Sequence, residues 1–203
     1  MTTMQASKFG KAAEIYLSRL NESFTPEIFK NVENMCEHLY NAWIHKRQIF
    51  ICGNGGSAAN AIHIANDLLY GVGACGSPPI IQGMNVEALP ANPGVVTCLA
   101  NDTGYENIYS KQLITKADKD DLLIALSGSG NSKNIINAIT TAKEIGMISV
   151  AILAFDGGTC NKLADLPIHF PINDMQIAED TQLIIGHLCM QWLNSNKPDN
   201  LHI

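Results

Sequence analysis

Apolar residues in the first quarter of the chain recur at helical spacing: Ile15 and Leu20, then Ile28, Val32, Met35, Leu39 and Trp43. No strand-like alternation interrupts residues 5–47, so two helices are expected there. Thr25-Pro26-Glu27 marks the start of the second. A threonine cap is followed by proline at the first helical position and by an acid in the first turn, where the helix dipole is positive. That helix is expected to run to about Lys46.

From Gln48 the pattern changes. Short, uniformly apolar runs at 49–52, 95–99, 122–126, 148–153 and 167–170 are each followed by small residues and a helical segment. Runs of this length without alternation belong to strands covered on both faces, as in a parallel sheet. The expected fold is a three-layer α/β sandwich preceded by a helical pair. In such folds ligands sit beyond the carboxyl ends of the strands, so function is sought in the loops that leave these runs.

Two of those loops resemble each other. Gly53-Asn54-Gly55-Gly56-Ser57 follows the first run, Ser127-Gly128-Ser129-Gly130-Asn131-Ser132 follows the third, and each opens a helix. Small residues admit a ligand close to the backbone, N–H groups at a helix start donate to an anion, and Ser hydroxyls add neutral donors. Such a loop can hold phosphate without a lysine. The first loop also fits G-x-G-x-x-G/A through Ala58. A dinucleotide site needs an acid ending a second strand about 20 residues on, and residues 71–85 supply neither strand nor acid. Ala100-Asn101-Asp102-Thr103-Gly104-Tyr105, expected as a loop at the same sheet edge, offers Asn and Asp to sugar hydroxyls. Both residue types also favour turns for local reasons.

Candidate chemistry lies on two helical segments. His63 and Asp67 are four apart and share a face. Glu179 and His187 are eight apart on the last helix, about 12 Å along its axis, so their side chains can meet only at a point between them. Two imidazoles and two carboxylates suit a divalent cation such as Zn²⁺, or acid–base catalysis without one. The same spacings also arise as plain helix-stabilising contacts. His187 lies in LIIGHLCMQWL, apolar on nearly every side, and is expected to be buried in the protein or in a subunit interface. His38, His45, His169 and His202 read as structural or solvated, and Trp43, Trp192 and the methionines as core or interface.

Composition narrows the classes further. At 203 residues the chain is most simply one domain, 1–203, with 5–47 as a helical extension packed on the α/β core or in an oligomer. Thirteen Lys plus Arg against nineteen Asp plus Glu give a charge of −6, and no basic run interrupts the balance. This weighs against nucleic acid and anionic membrane as partners. Six scattered cysteines include no C-x-x-C pair, so a disulfide framework and a zinc ribbon are poor fits. No signal-peptide or membrane-length apolar run is present, and a cytoplasmic location with reduced thiols is expected.

Four segments, CGNGGSA at 52–58, LANDTGYEN at 99–107, LSGSGNS at 126–132 and DGG at 156–158, resemble those of sugar isomerase (SIS) domain proteins. Within that group the chain resembles the phosphoheptose isomerases over nearly its whole length. The resemblance implies a five-stranded parallel sheet of flavodoxin-like type and a homotetramer with active sites near subunit contacts. It also implies interconversion of sedoheptulose 7-phosphate and the heptose 7-phosphate aldose used for surface polysaccharide, with a sugar phosphate as the small-molecule partner. Matched by position, substrate and phosphate contacts fall on Asn54, Gly55, Gly56, Ser57, Asn101, Asp102, Ser127, Gly128, Ser129 and Ser132, with Asp67 and Glu179 also facing substrate. His63, Asp67, Glu179 and His187 fall where the family places zinc ligands, Asp67 where it places its base, and His187 serves as acid.

Two positions depart from the family pattern, which has Glu where Asp67 stands and Gln where Glu179 stands. Asp is one methylene shorter, and Glu179 adds negative charge that favours a cation and disfavours a sugar phosphate. The alternatives are a non-catalytic SIS protein that binds a partner or senses a sugar phosphate, and an isomerase of another phosphosugar.

Overall fold

The computed structural model describes residues 7–75 and 78–199. Residues 5 and 6 of the expected helical stretch, and His202, lie outside the described residues. Helices α1 (Lys8–Glu22) and α2 (Pro26–Ile44) lead into β1 (Ile49–Gly53). Helix α3 (Gly56–Asn66) continues through a π-helical turn (Asp67–Gly71) into the single turn α4 (Val72–Ala74), and β2 (Val86–Ala88) follows. Next come α5 (Pro93–Thr103), a 3-10 turn (Tyr105–Asn107), α6 (Ser110–Lys116), β3 (Leu122–Ser127) and α7 (Lys133–Ile145). The chain closes with β4 (Ile148–Leu153), α8 (Cys160–Leu163), β5 (Leu166–His169) and α9 (Met175–Ser195).

All four strand pairings are parallel, in the order β2-β1-β3-β4-β5. This is the flavodoxin-like order, in which the direction of winding reverses between β1 and β3. Successive side chains of a strand point to opposite faces. Ile49 and Ile51 of β1 therefore pack with α2, α3 and α9, while Phe50 and Cys52 pack with α6 and α7 on the other face. Both faces being apolar explains why the β1 and β3 runs show no alternation; every residue of each is buried.

Helix α2 starts as its sequence directs: the Thr25 hydroxyl accepts the Ile28 N–H at 3.3 Å and Pro26 takes the first position. It carries Ile28, Val32, Met35, Leu39 and Trp43 into the core. Helix α1 buries no residue. It is tied to the start of α9 by the Tyr16 hydroxyl, which donates to Asp180, and by the 2.8 Å ion pair of Arg19 with Asp174.

One expected strand is corrected. Residues 95–99 lie within α5, because Asn92 accepts the Val95 N–H at 3.1 Å and Pro93 occupies the first turn. A capped start with proline in place outweighs the strand preference of two adjacent valines. The second strand is instead the three-residue β2, paired with Ile49, Phe50 and Ile51. Among the described residues no helix is long and apolar enough to cross a membrane.

Candidate active site

The loops after β1 and β3 flank the reversal point of the sheet, where open α/β folds hold ligands. Asn54, in the first loop, exchanges paired side-chain hydrogen bonds of 2.9 and 2.8 Å with Asn134 in the first turn of α7. Its Oδ1 also accepts the Tyr105 hydroxyl at 2.9 Å. Beneath it, the buried Tyr109 hydroxyl donates to the Gly53 carbonyl, and burial raises the pKa of that phenol. The first loop is thus held from three directions.

In the second loop the Ser127 hydroxyl accepts the Gly130 N–H at 3.2 Å. Gly130 has φ +64°, and a Cβ there would lie 2.0 Å from the Gly157 carbonyl oxygen. Only glycine lets the 156–158 turn close over the loop. Asn131 fastens that turn by accepting the Thr159 N–H at 3.0 Å and its hydroxyl at 3.1 Å. Ser132 is the N-cap residue of α7, yet its side chain makes no cap bond. A free hydroxyl at the positive end of a helix is suited to receive an anion.

Helices α3 and α9 run side by side in the same direction. The Glu179 carboxylate packs on Gly56, where a Cβ would lie 2.3 Å from Oε1. One turn on, the Asn60 amide donates to the Glu179 carbonyl at 3.0 Å and to Gln182 Oε1 at 3.1 Å. Further on, Gly186 lies so near Ile64 that a Cβ would meet its Cγ1 at 2.7 Å. This close approach brings the next residue, His187, to His63.

Their Nε2 atoms are 2.9 Å apart, and Asp67 Oδ2 lies 3.4 Å from His63 Nε2 and 3.6 Å from His187 Nε2. Asp67 opens the π-helical turn, in which the Val72 N–H reaches back to the Asp67 carbonyl. Such turns often mark functional positions. Donors about 2.0–2.1 Å from a tetrahedral zinc stand about 3.3–3.4 Å from one another. The three separations bracket that value, so the residues present fit a divalent cation. Glu179 is not part of this group; its carboxylate stays at the start of α3.

The expected burial of His187 is corrected within the chain, where its side chain is 51% exposed. The inward stripe of α9 is formed by Ile177, Ala178, Thr181, Gln182, Ile185, Gly186, Cys189 and Leu193, leaving His187 and Leu188 outside. Asn101 and Asp102 belong to the last turn of α5, not to a loop. Asn101 donates to Asp102 at 2.7 Å and the Cys98 thiol to Asp102 at 3.5 Å. That carboxylate pushes the Cys98 pKa up. No hydrogen bond joins either residue to the two loops or the His/Asp group among the described residues.

The SIS domain family matches residues 9–154. The phosphoheptose isomerase of Sulfurimonas denitrificans is 36% identical over 170 residues, 83% of this chain and 82% of that protein. That of Clostridium acetobutylicum is 32% identical over 164 residues, 80% of each. The chain belongs to the SIS-domain family, in its phosphoheptose isomerase branch. The solved structure of the Neisseria gonorrhoeae phosphoheptose isomerase covers 93% of this SIS-domain chain, and all of its own, at a TM-score of 0.80 and 24% identity. The Francisella tularensis enzyme covers 97%, and all of its own, at 0.80 and 21%. Both show the same fold.

The sequence reading of this SIS-domain protein did not single out Asn134, Asn60, Gln182 or Tyr105. Asn134, Asn60 and Gln182 are buried polar residues, and the sequence alone gives no sign that their positions face inward. Tyr105 sits in the LANDTGYEN segment, where an aromatic straight after a glycine was a usable signal.

Proposed function

We propose that the chain interconverts sedoheptulose 7-phosphate and D-glycero-D-manno-heptose 7-phosphate through an enediol, for surface polysaccharide heptose synthesis. The observation that carries this reading is the α3–α9 seam, which runs from beside the 127–132 loop, where Gly128 lies against Met175 at the start of α9, to the His/Asp group. From Gly56 to His63 the helix rises about 10 Å. An extended seven-carbon chain with its phosphate ester, built from C–C bonds of about 1.5 Å, has about that length. The relatives named phosphoheptose isomerase support the same substrate.

The phosphate is held by Ser127, Ser129 and Ser132 and the backbone around Gly128, with Asn54, Gly55, Gly56, Ser57, Asn101, Asp102 and Glu179 toward the sugar. His63, Asp67 and His187 would hold a divalent cation, most simply Zn²⁺, which supplies polarisation of a substrate oxygen. Asp67 turns Oδ2 to the two imidazoles, and Oδ1 of the same carboxylate is assigned the role of base. It takes a proton from C1 of the open-chain ketose while His187, whose Nε2 faces the cation position, gives O2 the proton of its Nδ1. The enediol then loses the O1 proton as C2 gains one, and the aldose results. Leu69, Tyr70, Leu188 and Trp192, next to Asp67 and His187 in sequence or on the same helix, are 39–66% exposed. This apolar rim supports subunit contacts beside the site, as in the homotetramer that the family resemblance implies.

Aldose formation from sedoheptulose 7-phosphate by the purified, zinc-supplied chain tests the reading. Asp67→Ala and His187→Ala should each lower turnover by about 100-fold or more. A metal-loaded chain without turnover sinks the assignment, and full activity in either variant removes that residue from the scheme.

A further inference from the structure

Tyr105 is 55% exposed, contributes nothing to either core cluster, and is the second residue of a tightly shaped turn. Gly104 before it has φ +91° and ψ 148°, a backbone region essentially confined to glycine. The Asn107 side chain donates to the Thr103 carbonyl at 2.6 Å, and the Asn137 side chain from α7 donates to the Glu106 carbonyl at 2.9 Å. A turn fixed from both sides that leaves its aromatic ring half in solvent is organised around the hydroxyl. Among the described residues that hydroxyl has one partner, Oδ1 of Asn54, at 2.9 Å.

The hydrogen-bond count of Asn54 shows what the contact does. A side-chain amide offers two donors on nitrogen and two lone pairs on oxygen. Oδ1 accepts from Tyr105 and from Asn134, which fills it, and Nδ2 gives one hydrogen to Asn134. One Nδ2 hydrogen remains without a partner among the described residues. The Asn54–Asn134 pair taken alone is self-complementary, since both amides can turn over together and keep both bonds. The Tyr105 hydroxyl biases that choice: a phenol, whose oxygen lone pair is drawn into the ring, is a better donor than acceptor, and here it donates to the oxygen of Asn54.

We propose that Tyr105 is a positioning residue that sets the Asn54 amide so that its single free N–H is presented to an oxygen of the sugar. This rests on the reading of the site as a phosphosugar isomerase. Tyr105 acts on binding and leaves proton transfer at Asp67 and His187 alone.

The test compares the wild-type chain with Tyr105→Phe, Asn54→Ala and the double variant. Tyr105→Phe should raise KM for sedoheptulose 7-phosphate by about five- to tenfold, the worth of one hydrogen bond, with kcat within about twofold. The Kd of the alditol analogue of that substrate, which has no carbonyl to isomerise, should rise by the same factor in calorimetry. In the Asn54→Ala background Tyr105→Phe should change neither quantity. Wild-type values for Tyr105→Phe, or additive effects in the double variant, overturn the proposal. Failure of the isomerase reading registers separately, as a wild-type chain without turnover. In that case the amide resonances of selectively labelled Asn54 still decide: a shift in Tyr105→Phe supports the positioning role, and unchanged resonances overturn it.

Discussion

Gly186 is where the fold and the His/Asp group are most directly coupled, and Gly186→Ala tests that coupling. A Cβ at this position would stand 2.7 Å from Cγ1 and 3.1 Å from Cδ1 of Ile64. Comfortable carbon–carbon contact begins near 3.5 Å, so α9 must move off α3 by roughly 1 Å or Ile64 must leave its rotamer. Ile64 is 2% exposed and branched at Cβ, which restricts the second escape. Overpacking of this kind costs about 1–3 kcal/mol. Replacing a mid-helix glycine by alanine returns about 1 kcal/mol, so the net loss is about 0–2 kcal/mol. For a chain of this size that lowers Tm by no more than about 8 °C.

The consequence at the neighbouring residue is larger. Metal donors must hold their places to about 0.2 Å, and a 1 Å displacement of His187 from His63 and Asp67 breaks the constellation. Zinc titration monitored by calorimetry should therefore show affinity falling by about tenfold or more while the protein remains folded. Gly71→Ala is the control: a Cβ there meets only Met190 Cε, at 3.1 Å, the mobile end of a flexible side chain. That variant should bind zinc as the parent does. Unchanged zinc affinity in Gly186→Ala would refute the claim that close approach of α3 and α9 sets the group.

Two further expectations follow from charge. Asp174 caps α9, and its carboxyl pKa is lowered, chiefly by the Ile177 N–H and also by Arg19 and the Gln176 N–H. A depressed folded-state pKa adds stability that is fully present above the ordinary Asp value of about 3.9 and is lost as pH falls through the lower folded value. Thermal melts of Asp174→Asn, which keeps a capping oxygen, should show a constant deficit against the parent above about pH 4 that closes in more acidic buffer. Glu179→Gln removes one negative charge near a dianionic ligand. For a separation on the order of 10 Å in water the repulsion is about 1 kcal/mol before screening, so KM for the phosphosugar should fall about threefold at low salt and less at higher salt.

The strands β1, β3, β4 and β5 were legible because both faces of the central sheet are apolar, which removes alternation from the sequence. β2 was not. It has three residues, and its middle one is Glu87, whose carboxylate leaves the sheet to meet Lys116 at 2.6 Å. The adjacent valines at 95 and 96 drew attention instead, although Asn92-Pro93 carried a helix start comparable to Thr25-Pro26. At the site, the four-residue spacing of His63 and Asp67 was readable as a shared face. Their meeting with His187 and the separate place of Glu179 were not readable, because both depend on the register of α9 against α3. That register is fixed by Asn60 with Gln182 and by Gly186 on Ile64, contacts between segments more than 115 residues apart.

The two glycine- and serine-rich loops look interchangeable as strings, and each opens a helix, yet the structure gives them different work. At the start of α3 a negative group is already present: the Glu179 carboxylate packed on Gly56. A phosphate dianion placed there would meet a like charge at short range, and that repulsion offsets the pull of the helix dipole. Asn54, the side chain best placed to donate from that loop, has all but one of its hydrogen bonds committed to Asn134 and Tyr105. At the start of α7 the acid of the overlying turn, Asp156, accepts the Gly158 N–H at 3.2 Å, Lys133 takes the first helical position, and the Ser132 hydroxyl is left without a cap bond. Under the proposed function the phosphate is therefore expected on the 127–132 loop and the polyol chain along the α3–α9 seam, with its carbonyl end at Asp67 and His187. A net charge of −6 is compatible with an anionic substrate where Glu179 and Asp67 stand on the seam and the phosphate loop offers Ser hydroxyls and the start of α7.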